Sequence, residues 1–204
     1  MALALLLATG NAAKAERLRA LCTGVDVTFR DAPSQKSVPA VDESAATHLG
    51  NAIAKALAYS RAFGGTALAS DGGLVIPALG AAWESTLTKR ATGDDVPDAE
   101  RARRLLGRMR EFEGSRREAY WAEAMAVARD GRLECAWESD GLAGVIGTAY
   151  RPDESGVPGF WADALWETTE GRKRWELTDD ERRAGGDPWT ALAPEVRNLL
   201  ARLD

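Results

Sequence analysis

The first third of the chain alternates short apolar runs with segments of helical periodicity, and this alternation limits the possible folds more than any other feature. Short apolar runs bounded by turn residues are typical of buried strands, whereas apolar residues three and four apart indicate an amphipathic helix. Alternating strands and helices predict an α/β fold. The predicted elements are a strand from Ala4 to Ala8, a helix from Ala12 to Cys22, a strand from Val25 to Phe29, a helix from Ser44 to Ala62 and a strand from Thr66 to Ser70, closed by Asp71-Gly72-Gly73.

The rest of the chain adds a helix, a hairpin and two C-terminal helices. An Asp-Gly pair between two long stretches is a hairpin signal, so Asp130-Gly131 predicts paired strands, although the alanine-rich stretch Ala119 to Ala128 also resembles a helix. With 204 residues and no low-complexity linker, the sequence predicts a single domain, residues 1–204. The predicted elements are a helix from Asp98 to Phe112, strands from Arg117 to Arg129 and from Leu133 to Thr148, and helices from Asp179 to Arg183 and from Trp189 to Leu203.

The charge balance and the scarcity of histidine and cysteine exclude several classes of function. Lys and Arg number 26 against 31 Asp and Glu, and this net charge of −5 disfavours general binding of nucleic acid. One histidine, His48, excludes a multi-histidine metal site, and two cysteines exclude a disulfide framework or a Cys-rich zinc site. No apolar segment approaches the length of a membrane span. We therefore expect a cytoplasmic protein with no nucleic-acid or membrane partner.

The first candidate site is the turn that follows the first strand. A strand that ends in a glycine turn and a helix N-terminus offers free N–H groups to an anion, and Lys14 adds a positive charge one turn into the helix. The alternative is a plain strand-to-helix turn capped by Asn11. If the turn binds phosphate, the residues concerned are Thr9, Gly10, Asn11, Ala12, Ala13 and Lys14.

Two acidic residues provide the second and third candidate sites. Asp71 follows a buried strand, where a carboxylate is well placed to hold a metal ion, although Asp71 could instead only start a turn. Glu43 lies at the start of the long helix, where the helix dipole favours an anion. His48, Asn51 and Lys55 share one polar stripe of that helix, from which Asn51 and Lys55 either reach toward Lys14 or form a solvated face. Two carboxylates suit Mg²⁺, and nearby lysines would neutralise a polyphosphate.

The order of these motifs resembles that of the Ham1 or inosine triphosphatase family, the noncanonical purine nucleoside triphosphate pyrophosphatases. The resemblance covers nearly the whole chain and is more specific in the first half than in the second. The stretches that carry it are Thr9 to Lys14, similar to the opening motif of the family; Glu43-Ser44 with Asn51 to Ala56, similar to Glu-Thr-Gly followed by Asn-Ala-x-x-Lys-Ala; Ala67 to Leu74, similar to Ala-Leu-Ala-Asp-Asp-Ser-Gly-Leu; and Gly159 to Trp166, similar to Gly-Phe-Gly-Tyr-Asp-Pro-Leu-Phe.

The resemblance implies an α/β fold with a central mixed sheet flanked by helices, two lobes with a cleft between them, and a homodimer. It implies Mg²⁺-dependent hydrolysis of a purine nucleoside triphosphate such as ITP, XTP or dITP to the monophosphate and pyrophosphate. Glu43 and Asp71 would bind the metal, Asp71 would also orient or deprotonate the attacking water, and Lys14 and Lys55 would balance the phosphate charge. The other implied substrate-binding residues are Asn51, Gly72, Phe160, Trp161, Asp163, Arg182 and Asp187, with Phe160 stacking on the base and Asp163 closing the pocket around it.

Several residues depart from the family pattern. Ser70 stands where the family has its first aspartate and Gly72 where it has a serine, so the metal cluster loses one negative charge. The stretch Arg182 to Pro188 replaces Lys-Asn-x-x-Ser-His-Arg; Arg182 could substitute for the lysine, but the His-Arg pair is missing. If Asp187 enters the pocket, its acceptor oxygens favour a base with amino groups, such as guanine or adenine. We favour the alternative, in which Asp187 caps a helix and Pro188 is its first residue.

The remaining unusual residues leave two rival functions open. His48 stands where the family has phenylalanine, so we expect it to pack rather than to catalyse. Trp83, Trp161 and Trp189 are expected in the core or at an interface, with a reshaped base site as the alternative. The rival functions are a nucleotide-binding protein of the same fold with weak or lost catalysis and a pyrophosphatase for a specialised nucleotide.

Overall fold

The computed structural model of the chain describes residues 2–30, 41, 44–88, 92–93, 96–151 and 161–203. The strands form one mixed sheet in the order β2-β1-β3-β4-β5-β6, with helices flanking it, so the predicted α/β fold is confirmed. The strands are β1 Leu3–Leu7, β2 Val27–Arg30, β3 Thr66–Val75, β4 Glu118–Arg129, β5 Arg132–Ile146 and β6 Trp166–Glu167. The helices are α1 Ala12–Leu21, α2 His48–Phe63, α3 Asp98–Arg108, α4 Asp179–Ala184 and α5 Pro188–Leu200.

The described residues group into two compact units, and the prediction of a single domain stays a prediction. The first unit takes its residues from Met1–Gly72, Glu123–Ser139 and Pro188–Asp204, and the second from Gly73–Ala122 and Asp140–Asp187. Trp189 lies in a core of the first unit, whereas Trp83 and Trp161 lie in the core of the second. Among the described residues, no helix combines the length and the apolar character that crossing a bilayer requires.

In the first unit, β1 runs parallel to the strands on both of its sides, pairing Leu5 with Phe29 of β2 and with Thr66 of β3. Successive side chains of a strand point to opposite faces of the sheet. Leu5 and Leu7 therefore pack against α1 and α5, while Leu6 packs on the opposite face against α2. Because side chains on both faces of β1 pack in the core, all its residues are apolar and do not alternate with polar ones.

The predicted hairpin is confirmed, with β4 and β5 joined at Asp130 and Gly131. Both residues have positive φ, at 48° and 79°, which is the backbone conformation of a tight two-residue hairpin turn. The alanine-rich stretch that also resembled a helix is strand, because its alternate alanines face one way. Ala124, Ala126 and Ala128 pack with the small side chains of α2 and β3, including Ala52, Ala56, Ala67 and Ala69.

The turn predicted at Asp71-Gly72-Gly73 is wrong, because β3 continues through these residues to Val75. Within the second unit, a Cβ atom added at Gly73 would lie 2.2 Å from the carbonyl oxygen of Ser85. The glycine is therefore explained by a close backbone approach and not by a turn. Because Asp71 lies inside a regular strand, the pleat of the strand fixes the direction of its side chain.

Arg117 holds several backbone carbonyl groups of the second unit together. Its buried guanidinium donates to the carbonyl oxygens of Ile146 at 2.6 Å, Met109 at 2.7 Å and Phe112 at 3.0 Å, and also to that of Gly147. These carbonyls belong to the end of β5 and to the segment after α3. A planar guanidinium with five N–H donors suits such a junction.

We expect Arg117→Met to lower the free energy of unfolding by about 3 kcal/mol, because it leaves buried carbonyl groups without donors. Chemical denaturation of the purified protein measures this loss. Arg116→Met is the matched control: Arg116 is exposed and lies over the Phe112 ring at 4.4 Å, so its loss should be below about 1 kcal/mol. Equal effects of the two variants would contradict the role given to Arg117.

Candidate functional site

Several polar side chains of the first unit meet at Asp71. Asp71 as a whole residue is 7% exposed. His48 Nδ1–H donates to Oδ2 at 2.7 Å, Lys55 Nζ donates to Oδ1 at 2.7 Å, and Asn51 Nδ2 approaches Oδ2 at 3.4 Å. The strand residue Asp71 thus binds three side chains of a single helix.

The spacing of these three side chains explains why α2 can meet Asp71. His48, Asn51 and Lys55 follow one another at intervals of three and four residues, so they lie on one face of the helix. The adjacent face carries Ala52 and Ala56, which are fully buried against the sheet. Small alanine side chains let the helix approach β3 closely enough for the polar stripe to reach the strand.

The polar stripe of α2 is therefore not a solvated helix face. Asn51 is fully buried, and the Lys55 side chain is 13% exposed. Asn51 is held from both sides, since its Oδ1 accepts from the Ala45 N–H at 3.1 Å. The helix itself begins at His48, with the Thr47 side chain accepting from the Gly50 N–H at 3.0 Å. These bonds fix the direction in which the stripe points.

His48 was missed as a member of this site. His48 was expected to pack, and it is indeed 8% exposed, but it also binds the Asp71 carboxylate directly. Its helical spacing already placed it on the polar stripe of Asn51 and Lys55, but the phenylalanine of the resembling family at this position favoured packing. An apolar residue at this position could not supply the hydrogen bond.

Positive charge and hydrogen bonding keep Asp71 ionised. Burial raises the pKa of Asp71, but the hydrogen bond from His48 and the charges of Lys55 and Lys14 outweigh that effect and lower the pKa to about 2. The predicted alternative, in which Asp71 only starts a turn, does not describe this arrangement. At neutral pH the site holds a stable, oriented carboxylate.

In this structure, the turn predicted to bind phosphate satisfies some of its own N–H groups. Thr9 Oγ1 accepts from the Asn11 N–H at 3.1 Å, and Asn11 Oδ1 accepts from those of Ala13 at 2.9 Å and Lys14 at 3.2 Å. The Asn11 cap is thus confirmed. Phosphate binding by Thr9 to Lys14 stays a prediction, although Lys14 is close enough to influence Asp71 electrostatically.

The roles of Glu43, Phe160 and Gly72 at the site stay predictions. Glu43 and Phe160 lie outside the described residues. Gly72 and Ser70 lie in β3 on either side of Asp71, and Ser70 is 1% exposed. Whether Gly72 contacts a substrate stays a prediction.

The second unit brings together some of the residues predicted around the base. Arg174, which was not among the predicted site residues, is 4% exposed and has its guanidinium between Asp163, at 3.4 Å, and Asp187. It also lies over the Trp121 ring at 4.8 Å. Burial lowers the pKa of Arg174, but the charges of Asp163 and Asp187 outweigh burial and raise it above its usual range.

Asp187 and Arg182 have defined protein partners in the second unit. Asp187 immediately precedes Pro188, the first residue of α5, as the favoured interpretation predicted, and its carboxylate accepts from Arg174. Arg182 donates to the Leu177 carbonyl and to Asp179. Trp161 is 8% exposed and belongs to the core. Their roles toward a substrate stay predictions.

Comparison with known proteins gives consistent results along the whole chain. The sequence model of the Ham1 family matches residues 5–184. The chain is 32% identical over 200 residues to a dITP/XTP pyrophosphatase of Symbiobacterium thermophilum, covering 98% of this chain and 96% of the relative. It is also 32% identical to a dITP/XTP pyrophosphatase of Streptomyces avermitilis, covering 96% of this chain and 98% of the relative. A HAM1 protein structure from Coxiella burnetii superposes with a TM-score of 0.75 at 27% identity, covering 98% of this chain and 99% of the other.

We expect Asp71 to stabilise the fold at neutral pH and to lose that contribution in acid. Its folded pKa of about 2 lies below the unfolded value of about 3.9. The contribution is therefore complete above the unfolded pKa and disappears as the pH falls through the folded pKa. The wild type and Asp71→Asn should therefore differ in their free energy of unfolding, measured in urea. This difference should shrink by about 2 kcal/mol as the pH falls from about 5 to about 2.

Asp26→Asn is the matched control, because Asp26 is exposed in the same unit. Its difference from the wild type should change little over this pH range. A pH-independent difference for Asp71→Asn would contradict the electrostatic role given to Lys55, Lys14 and His48.

Proposed function

The chain belongs to the Ham1 family, and on this premise we propose that it hydrolyses noncanonical purine nucleoside triphosphates, such as ITP, XTP and dITP, to the monophosphate and pyrophosphate. The names of its relatives support this reaction. The single observation that carries the proposal is the buried Asp71 carboxylate, held ionised by Lys55 and His48. Such an arrangement suits reactions of a polyphosphate, where catalysis depends on positioning and charge compensation.

We propose that Asp71 orients the attacking water and does not act as a strong base. A carboxylate with a pKa of about 2 is almost entirely ionised at neutral pH and has little tendency to accept a proton. Its three protein partners instead fix its position and leave carboxylate lone pairs for water or a cation. Of the two roles that the resemblance implies, orientation is the better supported.

We propose Mg²⁺ as the cofactor, held by Asp71 together with Glu43. In the part of the site that the structure describes, the proposed ligand is the Asp71 carboxylate. The described residues contain no group of three or more His, Cys, Asp or Glu side chains that could hold a metal ion. Mg²⁺ is bound by one or two carboxylates plus substrate phosphates, so a sparse oxygen site suits it. When bound, the ion would neutralise charge on the phosphates.

We propose that Lys14 and Lys55 compensate the charge of the triphosphate tail. Lys14 follows the turn after β1, and Lys55 lies on α2 with its ammonium group on Asp71. In the structure Lys55 is neutralised by Asp71, so a bound cation on Asp71 would free part of the Lys55 charge for a phosphate. The Thr9 to Ala13 turn and Asn51 are the remaining proposed contacts to the phosphates.

We propose that the base preference remains with oxo-purines. The Asp187 carboxylate is bound to Arg174 and therefore does not present two free acceptor oxygens to an amino group. The Arg174 guanidinium supplies N–H donors, which are what the oxo groups of hypoxanthine and xanthine require. Phe160, Asp163 and Arg182 remain proposed contacts around the base.

We also propose that the protein is a cytoplasmic homodimer without nucleic-acid or membrane partners. The net charge of −5 supports the absence of a nucleic-acid partner.

We expect pyrophosphate release from ITP, XTP and dITP in the presence of Mg²⁺, and a loss of at least about 100-fold in kcat/KM for Asp71→Asn. Asparagine keeps the shape of the side chain but removes the charge that pairs with Lys55. Asp26→Asn should retain wild-type activity, because Asp26 is exposed before β2. Equal activity of Asp71→Asn and the wild type would exclude Asp71 from the reaction.

The same panel of triphosphates separates the rival functions. Absence of turnover with clear thermal stabilisation by a nucleotide would indicate a nucleotide-binding protein. Turnover of only one unusual nucleotide would indicate a specialised pyrophosphatase. Absence of both turnover and stabilisation would contradict the proposed function itself.

We expect ITP and XTP to be hydrolysed at least about tenfold faster than GTP and ATP, and Asp187→Asn to preserve this ratio. Removing one partner of a buried ion pair should lower the free energy of unfolding by about 3 kcal/mol. Asp180→Asn, which removes an exposed pair with Arg183, should change neither quantity. A preference for GTP or ATP that Asp187→Asn abolishes would show that Asp187 reads an amino group.

A further inference from the structure

Two buried polar side chains of the first unit have atoms without a partner among the described residues. Glu123 is 7% exposed; its Oε2 accepts from Trp189 Nε1–H at 2.9 Å, whereas its Oε1 is buried with no hydrogen-bond partner. Ser70 is 1% exposed, and its Oγ has no partner either. Because an unpaired buried polar atom is strongly unfavourable, each one requires an explanation such as an ion or a water molecule.

The two side chains share one face of the sheet. Leu68 of β3 and Met125 of β4 both pack in the core formed with α1 and α5. The alanines next to them along each strand pack with α2 on the opposite face. Side chains two residues apart in a strand point the same way. Ser70 therefore faces the same side as Leu68, and Glu123 the same side as Met125. The contact between Glu123 and Trp189 of α5 agrees with this placement.

The two residues also lie at nearly the same level of the sheet. β3 and β4 are neighbours, and the Asp130 N–H donates to the Gly65 carbonyl at 3.0 Å, which places the end of β4 beside the start of β3. Continuing the antiparallel pairing of β3 and β4 inward from this bond, Glu123 lies about two residues along β4 from the position opposite Ser70. Side chains in such a diagonal relation are within reach when one of them is long.

This level of the sheet adjoins the turn that precedes α1. β1 pairs with β3 through Leu7 and Leu68, and the Ala8 N–H donates to the Leu68 carbonyl at 2.8 Å. The next residues along the two parallel strands bring Thr9 alongside Ser70. Ser70 thus lies beside the turn that is proposed to receive the phosphates, and Glu123 lies on the next strand, β4.

We propose that Glu123 and Ser70 bind a divalent cation, with Trp189 orienting the Glu123 carboxylate. A carboxylate and a hydroxyl are hard oxygen donors, which suit Mg²⁺ or Mn²⁺, and a phosphate tail at the adjacent turn would supply further oxygens. This inference rests on the proposed function only for the phosphate ligand, and it concerns the sheet face opposite to Asp71.

Titration of the full chain with Mn²⁺ in the absence of nucleotide, followed by electron paramagnetic resonance, tests the proposal. Glu123→Gln should weaken Mn²⁺ binding by at least about tenfold. Glutamine keeps the size of the side chain and an acceptor for the Trp189 indole, so the fold should be retained, and unfolding curves check this. Glu134→Gln is the matched control on β5, because Glu134 is exposed in the same unit, and it should bind Mn²⁺ like the wild type.

A second variant tests the proximity of the two residues. Adding Ser70→Asp to Glu123→Gln returns one carboxylate to the same place and should restore most of the lost affinity. Unchanged binding in Glu123→Gln would overturn the proposal and leave Glu123 as a partner of Trp189 only. A double variant that folds but does not recover would likewise overturn the shared site.

The readout also separates this inference from the proposed function. In Asp71→Asn, the Mn²⁺ site should persist and should still be lost on adding Glu123→Gln. If the wild type failed to hydrolyse any triphosphate while this dependence on Glu123 held, the proposed reaction would fail and the cation site would stand. If turnover occurred but Mn²⁺ binding ignored Glu123, the cation site would fail and the reaction would stand.

Discussion

The buried Asp71 carboxylate organises the polar side chains of α2 in the first unit. Placing an isolated carboxylate out of water is prohibitively unfavourable, so its neighbours must supply donors and positive charge. Lys55 and His48 do so directly, while Lys14 acts from the helix that follows the first strand. The approach of α2 to β3 is possible because alanines occupy the contact surface between them. The core packing and the charge compensation therefore depend on the same helix.

The two faces of the first unit's sheet carry different chemistry. Asp71 and the polar stripe of α2 occupy one face, where every carboxylate oxygen has a donor. Ser70 and Glu123 occupy the other, where two buried oxygens lack one in the described structure. Because neighbouring residues of a strand point to opposite faces, two adjacent positions, Ser70 and Asp71, serve these two environments. A strand running through a site can thus supply ligands on both sides of the sheet.

The second unit solves the same electrostatic problem with a different set of residues. Arg174 is buried between two carboxylates and against the Trp121 ring, so each charge has an opposite neighbour. Arg117 compensates backbone carbonyls in a similar way. Asp187 lies in the stretch where the resembling family has its His-Arg pair. Its partner Arg174 lies 13 residues earlier in the chain. Buried guanidinium groups therefore play the structural part in this unit that Lys55 plays in the first.

The sequence by itself determined the order of the helices and of the first five strands, the Asn11 cap and the hairpin at Asp130-Gly131, because apolar periodicity, capping and turn preferences are local. The sequence singled out Asp71 only through the family resemblance, because local signals alone favoured a turn there. It also selected Asn51 and Lys55, but it could not decide whether their stripe faced water or the strand. Only the tertiary structure decided that, and only it revealed His48 on Asp71, Arg174 between two acids and the unpaired oxygens of Ser70 and Glu123. These contacts join residues far apart in the chain, so they depend on how a helix is rotated against the sheet and on which face each strand residue occupies, and packing of the whole core sets both.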